Sequence, residues 1–399
     1  MPLRVFVSYQ RDDLASAQTL ESVLHATGMR AWRDLEFLPF GAATEEEVVR
    51  AIHEDCGAFV VLVTESSLES DFIWRVEIPA AIERAKSAGG AFPIVPVFAD
   101  QALVKKFASR SFLSVAQNLG DQNGIVLDGT DDLSGLNRLA GRLLEALIQD
   151  QDYTPIRLFT HGDIPTLDSQ DVVVDLRAAF SDSIPTPDQW AKIIVPGFRN
   201  IKRALLHKRR PQRSVWLPSR VHLSAALAYG WVFREVTGFT LDPSDSLLAE
   251  NPEALLDPSE LPGMIVDVVP GDRNNFDNLA MAISLAKDVR PSLSRAVSKS
   301  NYGFAASAQL TASSLGPASI VNTTHARQLA KQTVDVLLAQ KDRFRTRETD
   351  LFVSSSVQYA AYLGYFLNAC GFFRFWQFSM VHETYTPGVD LALLFDNDS

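Results

Sequence analysis

Six consecutive apolar residues, Ala58-Phe59-Val60-Val61-Leu62-Val63, admit few folds. A strand that faces water on one side alternates apolar with polar residues; an unbroken run of this kind is covered on both faces, as in the middle of a parallel sheet. Parallel strands need crossover helices, and the flanking sequence supplies them. Residues 3–8 are a β-branched and aromatic run, closed by Tyr9-Gln10-Arg11-Asp12-Asp13, which can cap a helix over 14–26. Gly28 suits the end of that helix, and 29–32 reads as a second strand. After a loop over 33–44 bearing Pro39 and Gly41, the acidic turn Glu45-Glu46-Glu47 opens a helix to residue 53, with negative charge where the helix dipole is positive. Beyond the apolar run come a helix that contains residue 77 and continues to residue 82, a strand over 92–98, a helix over 103–108, a strand over 125–127 and an amphipathic helix over 133–148. This alternation predicts a doubly wound α/β domain.

Closely following the apolar run is Ser70-Asp71-Phe72-Ile73-Trp74-Arg75-Val76-Glu77. Ser66 and Ser67 mark a turn, and Ser70 or Asp71 can start a helix by accepting an orphan backbone N–H. Trp74 and Glu77 stand three apart and so lie on neighbouring turns of one helical face. A glutamate is ordinarily a solvated surface group, so Glu77 becomes a candidate only through its company.

A chain of 399 residues exceeds one ordinary core, and two or three domains are expected. Its net charge of −11 argues against broad binding to nucleic-acid polymers or membrane surfaces, while leaving room for a local basic pocket. Cys56 and Cys370 are the two cysteines, each in apolar sequence, so neither a disulfide framework nor a cysteine metal site is expected, and a reducing cytoplasm fits. The start runs straight into strand-like sequence without a signal peptide, and no apolar run approaches the roughly 20 residues of a membrane span. The seven histidines lack metal-ligand spacing, so no bound metal is expected.

Val5-Phe6-Val7-Ser8-Tyr9 with Asp12, then 28–32 with Asp34, then the Pro/Gly loop, then 70–77, resemble in that order the TIR domain over residues 1–150. The resemblance implies a flavodoxin-like domain that cleaves NAD+ at the nicotinamide–ribose bond, with Glu77 at the catalytic position. Phe6, Ser8, Tyr9, Asp34 and Trp74 become candidates for the NAD+ pocket; core packing is equally open to the three aromatics. Phe37, Leu38, Pro39, Phe40 and Gly41 resemble the loop through which TIR domains contact one another, with Phe40 separating the proline and glycine that are often adjacent. Without a Gly-rich phosphate cradle, redox use of NAD is disfavoured and NAD+ is a substrate rather than a cofactor.

Residues 151–165 read as a linker, and 166–399 as a second α/β region with strands over 171–176, 214–217, 264–269 and 351–353. Helices are expected over 188–206, with a break at Pro196, and over 221–236, 275–287, 326–340 and 357–369. Halves of about 166–255 and 260–399 echo each other: Val215-Trp216-Leu217 lies on Leu351-Phe352-Val353, and Ala225-Ala226 on Ala361-Tyr362. The 351–371 unit, the 372–385 stretch and 264–272 resemble the SAVED domain, two fused halves of the CARF nucleotide-sensing fold.

A TIR domain followed by a SAVED domain resembles the effectors of CBASS, a bacterial, cytoplasmic anti-phage system. It implies a cyclic di- or trinucleotide activator, cyclic tri-adenylate among them, whose binding stacks subunits into larger oligomers or filaments and switches on NAD+ hydrolysis. Two other readings stay open: a non-enzymatic TIR scaffold, and a cyclase releasing cyclic ADP-ribose. Candidate ligand contacts are Ser219-Arg220, Asp272-Arg273, Lys299 with Tyr302, and Ser354-Ser355-Ser356, for each of which helix or turn capping is the ordinary alternative. The basic run from Lys202 to Arg213 is either a cationic helix end or the rim of an anion site.

Overall fold

The computed structural model describes residues 2–33, 44–109, 124–129, 132–181, 184–219, 221–243, 262–272, 275–300, 303–367, 371–379 and 384–390. They form two compact units: Met1–Arg157 with Ile164–Asp175 and Lys192–Gln212, and Leu158–Asp163 with Leu176–Ala191 and Arg213–Ser399. Among the described residues no helix is long and apolar enough to cross a membrane, and no cluster of three metal-ligating side chains occurs.

In the first unit, strands β1 (Arg4–Ser8), β2 (Arg30–Trp32), β3 (Ala58–Val63), β4 (Ile94–Phe98) and β5 (Ile125–Val126) make a parallel sheet in the order β2-β1-β3-β4-β5. All six residues of β3 are buried, as its unbroken apolar run requires. Around the sheet lie α1 (Leu14–Ala26), α2 (Thr44–Arg50), α3 (Glu65–Leu68), α4 (Ile78–Ser87), α5 (Gln101–Ser109) and α6 (Leu133–Ile148). The turn placed at Ser66-Ser67 is instead inside α3. Thr64 caps that helix reciprocally with Ser67, which leaves Phe72 at the start of the next turn without a side-chain cap.

Residues Ile73–Glu77 form one widened π turn, in which the amide of Ile78 reaches back five residues to the carbonyl of Ile73. Pro79 explains it. A proline there has no N–H to offer the carbonyl of Arg75 and its ring would collide with that oxygen, so the chain takes in an extra residue. The π turn Trp190–Ile194 precedes Pro196 at the same spacing, which is how the expected break is accommodated without ending the helix, α7 (Val195–His207).

The second unit is built on β10 (Met264–Pro270), β11 (Asn278–Ser284), β12 (Ala306–Ala312), β13 (Glu348–Ser354), β14 (Phe372–Ser379) and β15 (Thr384–Asp390), ordered β10-β12-β11-β13-β14-β15. The inner four strands are parallel and the two edges antiparallel. Between the two main sheets in chain order come β6 (Ile156–Phe159) and β7 (Val172–Asp175), and a two-stranded parallel sheet joins β8 (Ser214–Trp216) to β9 (Thr240–Asp242). The helix expected over 275–287 is strand β11. Its Leu, Ala and Met favour a helix, but every residue from Asn278 to Ser284 is buried between neighbours, and burial on both faces overrides propensity. Strand β12, for which no element was expected, lies beside it. Asp350, 1% exposed, fixes the register of the centre by accepting hydrogen bonds from Asn278 Nδ2 (2.7 Å) and Trp376 Nε1 (2.6 Å).

Helices α8 (Leu223–Val232), α9 (Arg290–Ser300), α10 (Thr323–Phe344) and α11 (Val357–Phe366) complete this unit. α8 and α11 are apolar nearly all round, and they bury that surface on each other. Their contact is reciprocal. A Cβ on Gly230 would stand 1.9 Å from the carbonyl oxygen of Ala361, and one on Gly364 would stand 2.1 Å from that of Leu227. Gly230 thus corresponds to Gly364 and Leu227 to Ala361, a local two-fold relation two residues out of the register in which the sequence echo was laid.

Candidate functional site

In an open parallel sheet, ligands bind beyond the carboxyl ends of the strands where the winding reverses. In the first unit that reversal lies between β1 and β3, and Ser8 is the last residue of β1. Ser8, 1% exposed, donates from Oγ to Oε2 of Glu77 at 2.5 Å, and Glu77 is 6% exposed. Across the same crevice Asp13 accepts hydrogen bonds from Thr64 Oγ1 (2.7 Å) and Ser66 Oγ (2.9 Å), so the loops after β1 and β3 are tied together. Sequence reasoning passed over Asp13 and Thr64, because a short polar residue after a strand reads as helix capping.

The other sequence candidates divide. Trp74 is buried, donates from its indole N–H to the carbonyl of Ser67 (3.1 Å) and tilts against Phe107 at 5.3 Å. Phe6 is stacked between Trp32 (4.6 Å) and Phe59 (5.4 Å) in the core. Tyr9 is half-buried just beyond Ser8. Asp34 and the loop residues Phe37, Leu38, Pro39, Phe40 and Gly41 lie outside the described residues. A groove of about 710 Å³ between α2 and α4, walled by Val49, Arg50, Arg75 and Pro79, does not include Glu77.

In the second unit the winding reverses between β11 and β13. Ser354 ends β13; its carbonyl accepts the amides of Leu285 and Ala286, and its Oγ accepts that of Lys287 at 3.0 Å. Ser356 caps α11 through the amide of Tyr359, and Ser355 donates to the carbonyl of Ser356. The serines therefore stand at the switch point with Ser284 and Lys287, which the helix expected over 275–287 concealed. Asp272 is held at the opposite end of the strands, where its amide meets the carbonyl of Phe304 and its carboxylate accepts from Asn275 Nδ2 (2.7 Å). Lys299 sits on the last turn of α9. The structure thus separates Asp272 from Ser354–Ser356. Ser219 is half-buried in the loop after β8; Arg220, Arg273 and Tyr302 lie outside the described residues. The basic run is largely neutralised in place: Arg203 pairs with Glu145, Arg209 with Asp150 and Arg210 with Asp152, while burial pushes the Lys208 amine down.

Near Ser219, His222 stacks on Phe180 at 4.8 Å and meets His161 edge-on at 5.4 Å. Burial, then the neighbouring His161, lowers the pKa of His222. Above about pH 6.5 it is neutral whether folded or not; below that the unfolded chain takes up the proton first, so its contribution to stability declines as pH falls. A plot of Tm against pH from about 7 to 5 is expected to fall less steeply for His222→Gln than for the parent chain.

With this geometry in view, a TIR domain model matches residues 5–126. A model of the SAVED domain, described as "SMODS-associated and fused to various effectors sensor domain", matches 199–391. The chain carries a TIR domain followed by a SAVED domain. Solved structures similar to this TIR–SAVED chain include the Acinetobacter baumannii Cap4 SAVED/CARF-domain containing receptor with the cyclic trinucleotide 3'3'3'-cAAA, 14% identical, TM-score 0.44, covering 88% of this chain and 86% of that one. A further structure of the same receptor gives 14% identity, a TM-score of 0.44 and coverages of 88% and 85%. The Moraxella osloensis Cap4 receptor gives 14%, 0.39, 88% and 86%. No protein of curated function matches the chain.

Proposed function

We propose that this chain is a bacterial, cytoplasmic CBASS effector. A cyclic oligonucleotide bound by the SAVED domain drives self-association, and the assembled TIR domains hydrolyse NAD+ to nicotinamide and ADP-ribose. The observation that carries the reading is the buried Ser8–Glu77 pair at the switch point of the TIR sheet. Cleaving the N-glycosidic bond sends its electron pair to nicotinamide, which leaves neutral, and leaves an oxocarbenium-like ribose. A fixed carboxylate beside that sugar stabilises the growing positive charge and can take the proton of the attacking water as its oxygen bonds the anomeric carbon. The hydrogen bond from Ser8 to Oε2 fixes the orientation of that carboxylate.

The same burial supports gating. At 6% exposure Glu77 offers little surface to a ligand, as suits a site that opens when subunits assemble. On this reading residues 37–41 of a neighbouring copy complete the pocket to which this chain's own Asp34 contributes. The SAVED unit has a surface suited to self-association in its edge strand β10, where Ile265 is 59% and Val269 50% exposed; apolar edge strands invite pairing unless blocked.

The test is to incubate the chain with a panel of cyclic di- and trinucleotides, cyclic tri-adenylate included, and to separate products by chromatography. NAD+ loss confined to one activator, with ADP-ribose as product, is expected. Cyclic ADP-ribose as the main product would make the domain a cyclase, and no loss with any ligand would make it a scaffold. Pro79→Ala restores the missing amide and lets the π turn close, which swings Glu77 away from Ser8. Activated turnover is expected to fall by about 10- to 100-fold, with Tm unchanged or raised, when both are measured on the same preparation.

A further inference from the structure

The SAVED unit contains a groove distinct from the Ser354–Ser356 switch point. One part, about 230 Å³, is lined by residues that include Thr240, Thr323, Arg327, Tyr362 and Tyr365; the adjoining part, about 330 Å³, shares Thr324 and Arg327 and adds Lys331, Phe366 and Glu235. Three features converge on it. Thr323 and Thr324 are the first residues of the 22-residue helix α10, whose cap residue Asn322 accepts the amide of His325, and a helix start of this length presents amides and a positive dipole end. Arg327 and Lys331 follow at one-turn spacing. Among the described residues neither cation has an ion pair; Arg327 rests over the ring of Phe366 at 5.7 Å. The third feature is Tyr362, 5% exposed yet lining the cavity, and without a hydrogen-bond partner among the described residues. Its neighbour Tyr365, by contrast, is satisfied by the carbonyl of Phe239 at 2.9 Å.

The Tyr362 side chain is held by its buried ring, and a hydroxyl open to the cavity exchanges water for the acceptor atom of a bound ligand. The two cations and the helix start specify that the acceptor is anionic, and the rings of Tyr362, Tyr365 and Phe366 suit an aromatic or sugar portion beside it. We propose that this groove binds a phosphate ester, with the phosphate at the start of α10 between Arg327 and Lys331 and accepting a hydrogen bond from the Tyr362 hydroxyl. Glu235, on the wall of the outer part, favours a singly charged phosphodiester over a dianionic phosphate. If the cyclic oligonucleotide is the activator, as the reading above holds, one of its phosphodiesters is a source; a separate phosphate-bearing metabolite is the other.

The test uses the full chain with dimethyl phosphate as probe, followed by 31P line broadening. Saturable broadening is expected, weakened at least about fivefold in Tyr362→Phe, which removes only the hydroxyl, and in Arg327→Ala, but not in the remote Arg290→Ala. No saturable broadening with the parent chain, or none of it lost in either variant, would overturn the proposal. Cyclic tri-adenylate then separates the sources. If it displaces the probe and its own affinity falls in both variants, the activator's phosphodiester occupies the groove. If it binds both variants as it binds the parent, the occupant is a separate phosphate ester. If it does not bind the parent chain, the activator reading fails for that ligand, and the probe data still decide the site.

Discussion

Replacing Glu77 by glutamine is expected to lower activated NAD+ cleavage by at least about 100-fold while leaving the fold intact. The carboxamide keeps the size of the side chain and an oxygen to accept from Ser8, whose 2.5 Å hydrogen bond ties the loop after β1 to the π turn. What it removes is the negative charge, and an oxocarbenium-like sugar is stabilised by charge rather than shape. Glutamine in place of a buried carboxylate also removes a desolvation cost, so Tm should hold or rise. Release of nicotinamide at saturating activator, with Tm on the same samples, separates loss of chemistry from loss of structure. Full turnover by Glu77→Gln would show that this carboxylate is not the catalytic group.

The largest effect on stability is expected at the crossing of α8 and α11. A side chain at Gly230 would meet the carbonyl oxygen of Ala361 at 1.9 Å, and one at Gly364 would meet that of Leu227 at 2.1 Å. The obstacles are backbone atoms held in helices, so no rotamer change relieves the clash. Overpacking typically costs 1–3 kcal/mol and here the helices must separate, so Gly230→Val is expected to cost about 3 kcal/mol or more. For a unit of this size that corresponds to a fall in Tm of roughly 6–12 °C. Gly364→Val should match it, because the two glycines are reciprocal. The double variant should lose less than the sum, as either change alone opens the crossing. Gly263→Ala is the control: its nearest neighbours are side-chain atoms of Gln332 at 3.5 Å or more, and calorimetry should find Tm little changed.

Much of the TIR fold was legible because its signals are local. The unbroken run at 58–63, the acidic start at Glu45 and the spacing of strands and helices each point to a buried parallel sheet with crossovers. The π turn at Ile73–Glu77 was not read, although its cause, Pro79, stands in the sequence: a proline near a helix start passes for an ordinary first-turn residue. The SAVED unit was harder for a physical reason. Strand β11 is written in Leu, Ala and Met, and only its burial between β12 and β13 makes it a strand. That error hid Ser284 and Lys287 from the candidate site beside Ser354. Asp272 and Ser354 both follow strands in the sequence, but only topology reveals that they stand at opposite ends of the sheet.

The central claim is that turnover requires activator-driven assembly, and one titration tests it directly. NAD+ loss and light scattering are followed together in one cuvette as the activator found in the panel is added at several protein concentrations. Turnover per chain is expected to rise together with scattering, and to rise with protein concentration at fixed activator. Turnover that is the same in dilute, non-scattering samples with and without activator would contradict it.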